Sequence, residues 1–299
     1  MSPLFRLLAL PTELIQRVGV FCADHRLAFP TPALNRYLHA IFSFPTSIAT
    51  RALRHFPSSE AALLAESLCG DAPVLAILCR RMPRAILSTV PALGRAAWAG
   101  HLAAVQCLLD AGADPNVGEN NQAIVAAAYQ KSADIVRLLL HRGATNKQEA
   151  LLMAAQRGSV ACVRELLAHG AHPDALMLWG GVVQSGVPEL VEVLLQDGRV
   201  RAVMADDENT VPRALIFAAV QCGHAETTLL ILKHLPDTHA LKDGLVLNAA
   251  SRGHADVVKV LLDSGADLKQ CGGAAIRVAT EKGHDRVLQV FRERGFVDL

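Results

Sequence analysis

The sequence predicts an all-α fold. About eight stacked helix-turn-helix units with short loops or truncated fingers form a repeat solenoid over residues 57–299, and a small helical N-terminal module precedes them over residues 1–56. Three observations carry this reading. Glycines recur with a period near 30 residues, aliphatic side chains stand at fixed distances after each of them, and a second glycine follows at a constant interval.

Composition bounds the function before any motif does. The chain has 299 residues, a formal net charge of +1, 52% hydrophobic and 19% charged residues, which suits an ordered aliphatic protein. So small a net charge supplies no broad attraction for nucleic acid or an anionic membrane, so the expected partner is another protein. No apolar run reaches the roughly 18 residues of a membrane span. Arg6 splits the apolar patch of the first ten residues, and Pro11, Thr12 and Glu13 follow where a small-residue cleavage site would stand, so secretion is not expected. Seven cysteines, never spaced as CxxC, read as small buried hydrophobes in a reducing compartment. The expectation is an intracellular monomer, cytoplasmic or nuclear.

Residues 1–56 lack lysine, and six arginines against Glu13 and Asp24 leave this segment at +4. Pro30 and Pro32 break it into at least two helices. Thr12 is placed to cap a helix over Glu13 to Phe21 with Leu14, Ile15 and Val18 on one face, and a second helix is predicted from Ala33 through Phe44. Leu10-Pro11-Thr12-Glu13-Leu14-Ile15, followed by Asn35-Arg36-Tyr37-Leu38-His39-Ala40-Ile41, resembles the F-box. That resemblance implies docking to the adaptor subunit of a cullin ubiquitin ligase through Leu10, Pro11, Leu14 and Ile15. The alternative is a helical cap covering the apolar face of the first repeat, which any solenoid requires.

From residue 57 onward the ladder begins. Its anchors are Gly70, Gly100, Lys131, Gly158, Gly186, Gly223, Gly253 and Gly283, at steps of 30, 31, 27, 28, 37, 30 and 30 residues. Pairs of small residues precede many of them, as in Ala96-Ala97, Ala154-Ala155 and Ala249-Ala250, so that neighbouring units can approach closely. Five residues after the anchors stand Leu75, Val105, Val136, Val163, Val191, Thr228, Val258 and Leu288; eight after stand Leu78, Leu108, Leu139, Leu166, Leu194, Ile231, Leu261 and Phe291. This spacing is one helix seam. Gly112, Gly143, Gly170, Gly198, Gly265 and Gly295, twelve residues after their anchors, are predicted to end the second helix in the left-handed conformation.

Gly100-His101-Leu102 through Leu109-Asp110-Ala111-Gly112-Ala113-Asp114-Pro115-Asn116 resembles one half of the ankyrin repeat, and Gly253 to Asp267 repeats it closely. The family's TPLH opening is replaced throughout, for instance by Glu149-Ala150-Leu151-Leu152, and the shorter steps imply a trimmed finger. The resemblance implies that His101, His224, His254 and His284 brace turns rather than hold metal. It also implies that the two residues before each anchor face the concave side.

No GxxxxGK, HExxH or GxSxG motif occurs, so no catalytic residue, cofactor or metal is expected. The expected function is a non-catalytic scaffold that binds a protein through its concave surface. Its partner-binding candidates are Trp98, Tyr129, Gln130, Gln156, Arg157, Gln184 and Arg252, with the aromatic pair as the strongest anchors. Trp98 and Tyr129 equally suit gap-filling between adjacent helices, and Trp179 reads as core. A 37-residue step places an insertion at Arg199 to Pro212 whose Asp206, Asp207 and Glu208 either seize a basic partner or form a solvated loop. Arg286, Gln289, Arg292, Glu293 and Arg294 form a polar cap on the last helix.

Overall fold

A computed structural model describes residues 42–118, 123–172, 175–198, 210–234 and 239–296. Eighteen helices and no strand occur among the described residues. By its internal contacts the chain divides into two units, Met1–Asn146 and Lys147–Leu299.

In the first unit the helices are α1 (Pro45–His55), α2 (Ser59–Cys69), α3 (Ala72–Arg81), α4 (Arg84–Leu87), α5 (Ala92–Trp98), α6 (Leu102–Ala111), α7 (Ala123–Tyr129) and α8 (Ala133–His141). They stack in two rows, α2, α5 and α7 in one and α1, α3, α6 and α8 in the other. Starts are chemically marked: the side chain of Ser58 accepts the Ala61 amide at 3.1 Å and Asp71 accepts that of Val74 at 3.3 Å. Ala96, Ala97, Ala127 and Ala128 bring α5 and α7 together with almost no exposed surface, while Val105, Leu108, Val136 and Leu139 bury the second row. Two helices were not anticipated. The sequence predicts a helix ending at Phe44, yet α1 starts at Pro45, where a missing N–H costs nothing in the first turn. The four residues of α4 are too few to show a period.

The second unit comprises α9 (Lys147–Gln156), α10 (Val160–Ala168), α11 (Ala175–Ser185), α12 (Pro188–Gln196), α13 (Thr210–Cys222), α14 (Ala225–His234), α15 (His239–Arg252), α16 (Ala255–Asp263), α17 (Leu268–Glu281) and α18 (Asp285–Glu293). Here α9, α11, α13, α15 and α17 form one row, and α10, α12, α14, α16 and α18 the other. Gly181 is buried where α11 crosses α9. A β-carbon there would stand 3.2 Å from the Gln156 backbone nitrogen, so its missing side chain sets how closely the two helices pack. The expected polar cap is present: Arg286, Gln289, Arg292, Glu293 and Arg294 are exposed on and just past α18, with Val287 and Phe291 buried beneath.

All eight anchors have a positive φ, including Lys131 at 60°, the one non-glycine residue with positive φ among those described. Five of the six second glycines do as well, and Gly198 is the exception. There α12 ends at Gln196 and Asp197 turns the chain away in an extended conformation, so no left-handed residue is needed. The insertion also ends earlier than expected, because Thr210 to Pro212 already belong to α13, whose first turn accepts proline.

Four of the anchor glycines carry a second duty. His101 Nε2 lies 3.1 Å from the Leu68 carbonyl, His254 Nε2 3.0 Å from that of Gln221, and His284 Nε2 3.3 Å from that of Ser251. Each carbonyl belongs to the residue two before the preceding anchor, so the imidazole lies across that anchor. A β-carbon on Gly70 would stand 2.4 to 2.6 Å from the His101 ring, and one on Gly223 2.7 to 3.1 Å from the His254 ring. The histidines therefore brace successive turns. Other links also join the elements. Asn116 accepts the Thr145 amide at 2.9 Å and donates to the Gly143 carbonyl at 3.1 Å, while Arg142 pairs with Asp110 and Arg294 with Asp263 at matching repeat positions. Lys147 and Lys242, each eleven residues before an anchor, donate to the carbonyls of His169 and Ser264 at the C-terminal ends of second helices, a favourable place for a cation.

Candidate functional site

The position two residues before each anchor is the last or next-to-last residue of the first helix of its pair, so its side chain sits beside the turn rather than inside the row. In the first unit this position is Leu68, Trp98 and Tyr129; in the second it is Gln156, Gln184, Gln221, Ser251 and Glu281. The contrast is chemical. Leu68 and Trp98 are 42% and 47% exposed, unusual for residues whose burial contributes about 2 kcal/mol or more each.

Trp98 and Tyr129 stack, with ring centroids 4.7 Å apart and planes 14° apart. The geometry follows from the fold: α5 and α7 lie side by side through their buried alanines, bringing equivalent positions of adjacent repeats within aromatic contact. Tyr129 is half-buried by this arrangement, whereas the indole keeps nearly half of its surface in solvent. Leu68, Gly94, Arg95 and Trp98 line a shallow groove of about 300 Å³ beside the pair. The strip expected from sequence starts at Trp98 and omits Leu68, whose equivalence to Trp98 in the glycine register is the available signal.

Gln130 is exposed next to Tyr129. In the second unit Gln156, Arg157, Gln184 and Arg252 are exposed as expected, with the Gln156 side chain lying over Gly181. The side chain of Trp179 falls outside those described. Asp206, Asp207 and Glu208 lie outside the described residues, as do Leu10, Pro11, Leu14 and Ile15.

Cysteine chemistry is quiet in the interior. Burial pushes the Cys79 thiol up to about 12 and that of Cys271 up to about 11, and the Cys107 and Cys162 thiols are raised for the same first reason. Cys69 and Cys222 depart from the buried expectation: both are exposed, because each directly precedes an anchor glycine where the chain turns at the surface. Among the described residues no group of histidine, cysteine and carboxylate side chains is arranged to hold a metal, and no helix is long and apolar enough to cross a membrane. A second groove, about 730 Å³, lies between α3, α4 and α6, but Asp110 on its rim is engaged by Arg142 and Arg84 lies over Gly112.

Comparison with known proteins agrees with the repeat geometry. Residues 93–177 match the family described as ankyrin repeats, in three copies, and residues 246–272 match a further ankyrin repeat. Among solved structures, the human ASB11 ankyrin repeat domain is similar at 22% identity and a TM-score of 0.42, covering 76% of this chain and 96% of its own. No curated protein matches the chain significantly.

Proposed function

From a chain that contains ankyrin repeats, a family that generally mediates protein-protein interaction, we propose a non-catalytic scaffold that binds another protein through the surface carrying Trp98 and Tyr129. The observation behind this reading is the stacked aromatic pair at equivalent positions of adjacent repeats, with an indole 47% exposed beside a groove. Large, rigid aromatic surface held by the fold loses little conformational freedom on docking, and tryptophan is a frequent source of interface energy. Gln130 borders this strip; Gln156, Arg157, Gln184 and Arg252 supply the polar equivalents in the second unit.

The test compares proteins retained by the intact chain with those retained by Trp98→Ala and by Lys269→Ala, a substitution of an exposed side chain elsewhere. Selective loss with Trp98→Ala, at an unchanged unfolding midpoint, supports the reading; a lowered midpoint with unchanged retention refutes it. A second reading rests on the Leu10-Pro11-Thr12-Glu13-Leu14 pattern, in which residues 1–56 dock a cullin ligase adaptor and the repeats hold the substrate. Purified adaptor retained by the intact chain and lost with Leu10→Ala, Pro11→Ala decides in its favour. Equal retention or none makes residues 1–56 a cap.

A further inference from the structure

We propose that the strip Leu68, Trp98 and Tyr129, together with Arg95, is a docking site for an acidic linear segment of a partner protein, one in which an apolar side chain stands next to carboxylates. This rests on the protein-binding reading above and adds the partner's chemistry.

The apolar half of the argument is positional. Leu68, Trp98 and Tyr129 occupy one register position on the three consecutive pairs of the first unit, and the five equivalent positions of the second unit are all polar. Residues that merely fill gaps become buried, whereas Leu68 and Trp98 keep 42% and 47% of their surface. Between them, Gly94 contributes no side chain to the groove of about 300 Å³ lined by Leu68, Arg95 and Trp98, a space on the scale of one inserted side chain rather than a broad surface.

The charged half is complementary. Arg95 lies one turn before Trp98 on α5, is exposed, and has no side-chain partner among the described residues. Lys131 is exposed two residues after Tyr129, also without one. Along α2, α5 and α7 the acidic residues are Glu60 and Glu66. Glu66 is fully buried. Glu60 lies in the first turn of α2, about 12 Å along the helix axis from Leu68 at 1.5 Å per residue. Two cations without side-chain partners therefore flank an aromatic pair whose indole is exposed. A partner carrying carboxylates next to its apolar residue satisfies both, and a basic segment is repelled.

The experiment uses the full chain immobilised against a displayed library of random twelve-residue peptides, selected in parallel with Trp98→Ala and Arg95→Glu. The best-enriched peptide is then synthesised and titrated. The expected result is enrichment of peptides with Asp or Glu beside an aliphatic or aromatic residue. Binding of the synthetic peptide should weaken about tenfold or more with Trp98→Ala, the loss typical of an interface anchor. It should also weaken with Arg95→Glu and with added salt, and the library selected on Arg95→Glu should shift towards Lys and Arg. Enriched peptides that depend on Trp98 but show no acidic preference overturn the inference while leaving the protein-binding reading intact. Peptides insensitive to Trp98, or no enrichment at all, overturn both. Concentration-dependent self-association of the intact chain that Trp98→Ala abolishes assigns the strip to a second copy and also overturns the inference. Unfolding midpoints of each variant exclude loss of fold as the cause.

Discussion

Replacing Gly223 with alanine tests the brace between repeats directly. Gly223 has φ +81°, and an added β-carbon would lie 2.7, 2.8 and 3.1 Å from three atoms of the His254 ring. Two costs follow. Any side chain in the left-handed region costs about 1–2 kcal/mol, and displacing the ring endangers its 3.0 Å hydrogen bond to the Gln221 carbonyl, of the order of 1 kcal/mol net. Gly143 separates the two, because its φ is +88° and nothing lies within 4 Å of the added carbon. We expect Gly143→Ala to cost about 1–2 kcal/mol and Gly223→Ala about 2–3 kcal/mol in urea unfolding followed by circular dichroism. In a His254→Ala background the steric part disappears, and Gly223→Ala should fall back to the Gly143 value. A coupling between positions 223 and 254 below about 0.5 kcal/mol would refute the brace, because sites without shared contacts add within that range.

Three further outcomes are expected. Lys131→Gly should stabilise the chain by about 1 kcal/mol in the same unfolding assay, since it relieves a φ of 60° at an exposed position. Lys242→Met should cost about 1–2 kcal/mol through loss of the 2.8 Å bond to the Ser264 carbonyl at a site 8% exposed, while Lys269→Ala changes stability by less than about 0.5 kcal/mol. At pH 8 under native conditions iodoacetamide should label Cys69 and Cys222 and spare Cys79, as read by mass spectrometry of peptides. Because the Cys79 thiol is pushed up to about 12 from the ordinary 9.0, the native state keeps a proton that the unfolded chain releases. The stability this represents is complete below pH 9 and is lost progressively as pH rises towards 12.

Much of the fold was legible because stacking repeats the same physical demand. A turn that needs positive φ favours glycine, and eight such turns, four of them also crossed by a histidine ring, leave a ladder; even Lys131 is placed by its register. The seam at Val105, Leu108, Val136 and Leu139 was legible for the same reason, since a row buried on one face must be aliphatic at helical spacing. Helix α1 is obscured in the sequence because it runs up to the composition boundary at residue 56 and Pro45 suits a break as well as a first-turn position. Leu68 was obscured because a leucine in Ala-Ala-Leu-Leu-Ala-Glu-Ser-Leu reads as core; only its place beside a turn exposes it. Trp98 and Tyr129 could be named from register, but that they stack depends on how closely α5 and α7 approach, which the buried alanines set and no spacing reveals.

The ring of His224 lies across Gly186, where a β-carbon would stand 2.5 to 3.0 Å from it, although 37 residues separate Gly186 from the next anchor instead of about 30. The brace thus keys on which surfaces meet, not on how many residues connect them. Loop closure also penalises added length only slowly, about 0.6 kcal/mol per doubling. The stretch between Asp197 and Thr210 is accordingly a natural port: a tag, an epitope or a second domain inserted there should leave the rungs on either side in place, so the chain can gain parts without being rebuilt.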